Sequence, residues 1–160
     1  MTPDPQQARV YAAEEALAPL ARRFADVAEV RTFLQEVVAD EAVGERWPHA
    51  EVPEVRLGPA NLSCSYATDD GLVVLRRDHL DAVSVLHELA HVLEVADGHG
   101  NRFATAFAFL VRRHIGVDAW AALAARYEEL VVSWTPLDYE GGRTRRPISD
   151  AQGGAGTGPR

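Results

Sequence analysis

The chain is poor in sulfur: in 160 residues it has one cysteine, Cys64, and one methionine, Met1. A lone thiol cannot close an internal disulfide, and it leaves no second cysteine for a Cys-rich zinc site. Positive charge is also short. Lys and Arg together number 16 against 24 Asp and Glu, for a formal net charge of −8 and a pI of about 5.2. An acidic chain repels polyanions, so autonomous binding to nucleic acid or to an anionic membrane is not expected. The basic clusters, Arg112-Arg113 and Arg143 to Arg146, read as a helix end and a charged tail. Runs of about eighteen apolar residues are missing, and "MTPDPQQARVYAAEEALAPL" carries no apolar signal core. A cytoplasmic protein is the simplest expectation.

What is present suffices for a core. Hydrophobic residues make up 47% of the chain, ample for one packed domain that needs no metal merely to fold. That domain is expected over residues 1–140. The segment 141–160, "GGRTRRPISDAQGGAGTGPR", has almost nothing apolar to bury and is expected to be a disordered tail.

The pattern of elements predicts an α+β fold. Asp4-Pro5 reads as an N-cap and first helical residue, with the helix running to about Leu17 before Pro19 stops or kinks it. Asp26, with Glu29 three residues on, opens a second helix whose stripe is Val30, Phe33, Leu34, Val37 and Val38, ended by Gly44. Strands are expected at 54–58, 63–68 and 72–77, with a hairpin turn at Asp70-Gly71, giving a small, mostly antiparallel sheet. Asp81 can cap a helix from Ala82 to about Ala96, and Asn101 the next. Asp118 opens a last helix with Trp120, Leu123, Tyr127, Leu130 and Val131 on one face.

Chemistry concentrates in "LHELAHVLEVADGHGNRF", residues 86–103. It opens with H-E-x-x-H. On a helix, residues i and i+4 share a face one turn apart, so His87 and His91 can offer imidazole nitrogens to one ion. Zinc takes such nitrogens at about 2.0–2.1 Å and wants four ligands. Glu88 lies on a neighbouring face, placed to act as general base on a zinc-bound water. His49, His79 and His114 read as a surface residue, a helix-start residue and a helix-end cation. Cys64 reads as a small buried hydrophobe, and Tyr66 as either core or a phenol at the cleft.

With these residues in hand, the chain resembles a family of small zinc metallohydrolases from actinobacteria. The likeness covers roughly residues 6 to 135. It rests on "QARVYAAEEAL", on "LHELAH", on "SYAT", similar to a strand that precedes the family's motif, and on "HGNRF". The last is similar to a His-Gly-Pro-Glu-Phe pattern, with Asn101 and Arg102 replacing its proline and glutamate. More broadly the chain resembles SprT-like zinc metallopeptidases. The resemblance implies a zincin-like fold, with helices packed on a small sheet. It implies His87, His91 and His99 as zinc ligands, Glu88 as base, and a peptide or protein as substrate.

The residues themselves also favour His99 as third ligand. Seven residues separate it from His91, and Gly98 and Gly100 allow the chain to double back. Asp97 is a rival ligand. Glu94 stays on the motif helix and is expected to buttress a ligand histidine. Glu128 or Glu129 would serve a thermolysin-type site. Metzincins are excluded, because His99 comes too late for their motif and no later methionine exists. For the oxyanion, Tyr66, His114 and Tyr127 are the candidates. The expected activity is metal-assisted hydrolysis, most simply of a peptide bond. The rival readings are a zinc-stabilised protein-binding module with little or no catalysis, and a metal-free helical binding domain.

Overall fold

In the computed structural model residues 4–137 are described; the expected disordered tail, 141–160, lies outside them. Among the described residues the fold is mixed α+β, with six α-helices and a three-stranded sheet. In chain order come α1 (Gln7–Glu14), a 3-10 segment (Glu15–Leu20), α2 (Val27–Ala39), α3 (Glu41–Arg46), β1 (Glu54–Leu57), β2 (Tyr66–Ala67), β3 (Leu72–Leu75), α4 (Ala82–Leu93), α5 (Asn101–His114) and α6 (Val117–Glu129). Among the described residues, no helix is long and apolar enough to cross a membrane.

Local signals explain most of the boundaries. The Asp26 side chain accepts from Glu29 N at 3.0 Å, and the Glu29 carboxylate reaches back to Ala25 N at 2.9 Å. Together they satisfy donors that a helix start leaves open. Val30, Phe33, Leu34 and Val37 then face the core. Asp81 caps α4 through Ser84 N at 2.9 Å. Pro19 lacks an N–H, and the chain passes it in the tighter 3-10 form instead of ending at it. Gly44 does not end α2. Asp40 turns extended, accepts from Ala42 N at 2.9 Å and so starts α3, inside which Gly44 lies.

The sheet differs from the expected, mostly antiparallel one. Its order is β1-β3-β2. β3 pairs antiparallel with β2 across the Asp70-Gly71 turn, where Gly71 has φ +86°, but it pairs parallel with β1 from Glu54↔Leu72 to Leu57↔Leu75. Alternation in a short strand sets which face is buried and is silent on direction. The direction is set by the 58–65 connection, which carries the chain past β3 to its far edge. It begins with a tight turn, since a Cβ on Gly58 would meet the Leu62 side chain at 2.4 Å. The paired part of β2 is only Tyr66–Ala67.

The helix α4 runs through the middle of the molecule. It packs on α5 on one side and on β2, β3 and α2 on the other. Val85, Leu86, Leu89 and Ala90 anchor it, and Phe103, Phe107, Leu110 and Val111 of α5 face it from the same core. Full burial of side chains of this size stabilises by about 1.5–3 kcal/mol each. This packing makes α4 a rigid carrier for polar groups, and His87 and Glu88 are buried with it.

Candidate metal centre

His87 and His91 project from adjacent turns of α4, with their Nε2 atoms 3.2 Å apart. His99 Nε2 lies 3.3 Å from His87 Nε2. The three ligand atoms lie within 4.8 Å of one another and could hold a metal ion. Glycine returns His99 to the site as its sequence position suggests. After α4 the chain passes through left-handed Ala96 (φ +69°) and Gly98 (φ +57°); the second conformation is one that glycine adopts without strain. At Gly100 a Cβ would sit 2.7 Å from Asp97 Oδ2. That carboxylate accepts from Phe103 N at 2.9 Å, so Asp97 caps α5, the task expected of Asn101. Asn101 donates instead to Ser133 Oγ at 3.1 Å.

Two carboxylates stand behind the histidines. Asp4 Oδ2 lies 2.6 Å from His99 Nδ1 and also accepts from His99 N at 2.9 Å. Glu14 hydrogen-bonds His87 Nδ1. With Nδ1 of both rings facing a carboxylate, their Nε2 lone pairs are left for the common centre. Gln6 ties the same segment down, donating to His99 O at 2.8 Å and accepting from Ser133 N at 2.7 Å. Phe103 forms the floor: its ring centroid is 4.3 Å from that of His91 and 4.9 Å from those of His87 and His99.

Sequence reasoning missed Asp4 and Glu14 in these roles. Asp4 reads as a helix cap, yet α1 begins at Gln7 and only Asp4 Oδ1 turns back, to Gln6 N at 3.3 Å. The available signal for Glu14 was a polar stripe of Gln7, Tyr11 and Glu14 flanked by buried Val10 and Ala13 in an alanine-rich helix. Glu94, expected as a buttress, spends its oxygens on Trp47 Nε1 at 3.0 Å and Arg102 Nε at 2.9 Å.

Burial sets the protonation of the site. Loss of water pushes His87 down to about 3, helped by the charge of His79. The same cause, followed by the neighbouring His87 and His99, takes His91 to about 3. Burial also lowers His99, while the hydrogen bond to Asp4 works in the opposite direction. Neutral imidazoles are the form that ligates a metal. Glu88 is pushed up to about 8, by burial and then by the charge of Glu14. Its Oε2 is buried and has no hydrogen-bond partner in the protein, a costly arrangement unless something polar occupies the space before it.

Two adjoining clefts, of 460 and 320 Å³, reach this centre and share Tyr11, Cys64, Ser65 and Glu88 in their walls. Cys64 is therefore an exposed wall residue, not a buried hydrophobe. Tyr66 is 43% exposed and lines the second cleft. His114 lies elsewhere, 3.5 Å from Asp40, and Tyr127 is fully buried against Trp134. Glu128 and Glu129 are exposed on α6 and line neither cleft, and His49 lines a separate groove. Tyr11, assigned no role from the sequence, stacks on His87 at 5.2 Å with an interplanar angle of 15°. Comparison of the chain with family models, with curated proteins and with solved structures finds no match.

Proposed function

We propose that the chain is a zinc-dependent hydrolase of zincin-like fold that cleaves peptide bonds in a peptide or protein substrate. One observation carries this reading: three Nε2 atoms converge beside a buried carboxyl oxygen that has no partner. Four nitrogens or oxygens at about 2.0–2.1 Å in a tetrahedron stand about 3.3–3.4 Å apart. The separations of 3.2 and 3.3 Å between the histidine nitrogens fit that spacing. The donor set, three neutral imidazoles with carboxylates behind two of them, suits zinc. Zinc there supplies Lewis acidity and an acidified water.

The protein's own groups do the rest. His87, His91 and His99 hold the ion. Glu14 and Asp4 fix the first and third rings in the tautomer that leaves Nε2 free. Glu88 accepts a proton from water and passes it to the leaving nitrogen. A cation at the three histidines favours the ionised carboxyl, lowering Glu88 from about 8 towards the range in which it can act as base at neutral pH. The two adjoining clefts give room for substrate. A single cysteine suits a reducing compartment, and we place the protein in the cytoplasm.

A zinc-stabilised binding module is the alternative, favoured by the depth of the site, where His87 is 2% and His99 6% exposed. Glu88 separates the two, since a purely structural site has no use for a buried acid without a partner. Glu88→Gln is expected to keep one zinc per chain and lose at least about 100-fold in turnover of a cleaved peptide drawn from a mixed library. Full turnover in that variant would remove Glu88 from the mechanism. A zinc-loaded wild type that cleaves no peptide would favour the binding module.

A further inference from the structure

Beyond the metal ligands and the base, we propose that His79 touches the substrate: it donates its Nε2–H to the oxygen of the scissile carbonyl, and Ser65 holds it in the tautomer that can do so. The proposal rests on the metallohydrolase reading for its substrate and on separate atoms for its geometry.

Hydrogen bonding just beyond the β2–β3 ladder fixes the tautomer. Ser65 Oγ accepts from Arg76 N at 2.9 Å and lies 3.0 Å from His79 Nδ1. Ser65 is 7% exposed, so its hydroxyl hydrogen needs an acceptor in the protein. Nδ1 of His79 is the acceptor it has among the described residues. A neutral imidazole that accepts at Nδ1 carries its proton on Nε2. No described residue partners that nitrogen. The ring is further held by the turn before α4, where His79 N donates to Arg76 O at 3.0 Å.

Position gives this donor a use. His79 and Ser65 both line the 460 Å³ cleft, together with His87 and Glu88. His79 is near enough to act electrostatically on both His87 and Glu14. Hydrolysis of an amide builds negative charge on the carbonyl oxygen, and a fixed donor aimed at it is worth most in a site shielded from water. The other candidate donors are placed badly. His114 and Tyr127 line neither cleft, and Tyr66 lines the second one, whose wall does not include His87. Tyr11 stacks face to face on His87, with an interplanar angle of 15°. His79 keeps its proton throughout. It contributes a hydrogen bond, and Glu88 does the proton transfer. Ser65 is a positioning residue that acts through His79.

Two measurements test this on the full chain loaded with zinc. Long-range 1H–15N correlation spectra should show His79 with a bare Nδ1 and a protonated Nε2, and Ser65→Ala should mix the two tautomers. Affinity for N-phosphoryl-Leu-Ala, whose phosphoryl oxygens imitate the charged intermediate, should fall about 10–100-fold in His79→Phe. His79→Gln, which keeps a donor, should recover most of that loss, with zinc content equal in all variants. A proton on Nδ1, or wild-type affinity in His79→Phe, would overturn the proposal. So would a zinc-loaded wild type with no affinity for the probe. Failure to take up zinc would instead overturn the hydrolase reading and, with it, the use proposed for His79.

Discussion

Replacing Glu14 with Gln should move stability and metal affinity in opposite directions. Glu14 closes α1 and hydrogen-bonds His87 Nδ1, with 13% of its side chain exposed. Burial pushes its carboxyl well above the usual carboxylate range, so the empty protein holds an acid where ionisation is penalised. Gln keeps the shape and an acceptor oxygen and removes that penalty. Without metal, the variant should unfold at the same temperature as wild type or higher. With zinc, the carboxylate that orients His87 and raises its basicity is gone. Loss of such a partner costs about 10–100-fold in metal affinity, or about 1.4–2.7 kcal/mol. Ligand stabilisation follows the logarithm of concentration over Kd, and a body of this size gains about 2–4 °C per kcal/mol. The zinc-induced rise in Tm should therefore shrink by roughly 3–11 °C. Chelator competition and calorimetric melting, each with and without zinc, read both effects. Unchanged zinc affinity with a destabilised apo protein would refute the reasoning, because Glu14 would then be a packing partner and no buttress.

Two further substitutions probe the frame around the site. Phe103→Ala removes a fully buried ring that floors all three histidines; it should cost about 3–5 kcal/mol in urea unfolding and weaken zinc binding with it. A loss under about 1 kcal/mol would show that the floor is not packed as described. Asp40→Ala removes a cap on Ala42 N and two hydrogen bonds from Arg113, at 2.8 and 2.9 Å, and should cost about 1–2 kcal/mol at pH 6. Burial works to raise the pKa of Asp40, but Arg113 and the Ala42 amide outweigh it and hold it below the ordinary 3.8. Its stabilisation is thus present above the unfolded value and is lost as pH falls through the lower folded one. Unfolding curves should show the gap between wild type and variant narrowing below pH 3.8; a gap independent of pH would contradict it.

Those features that depend on near neighbours were legible in the sequence. His87, Glu88 and His91 are placed by helical spacing alone, and Leu86, Leu89 and Ala90 bury the backing of that helix. The capping signals at Asp26 and Asp81 worked for the same reason. His99 needed only a short return, and the glycines announced it. Partners distant in the chain were not legible. Asp4 and Glu14 meet His99 and His87 across 95 and 73 residues, respectively. A carboxylate's role there is decided by where α1 packs, which no local pattern encodes. The parallel β1–β3 pairing was hidden likewise, because alternation is the same in either direction. Gly44 misled because Asp40 had already ended α2. Cys64 and His79 read as structural, and only the closing of the cleft around them gives them an exposed wall and a fixed hydrogen bond.

The central claim is that three histidines from two segments hold one zinc ion. Metal analysis after dialysis, combined with zinc-edge X-ray absorption on wild type and His99→Ala, tests it most directly. Wild type should retain one zinc per chain, with three imidazole nitrogens at about 2.0–2.1 Å, and His99→Ala should lose the metal on dialysis. A wild type that binds no zinc, or a His99→Ala variant that keeps a full equivalent, would contradict it.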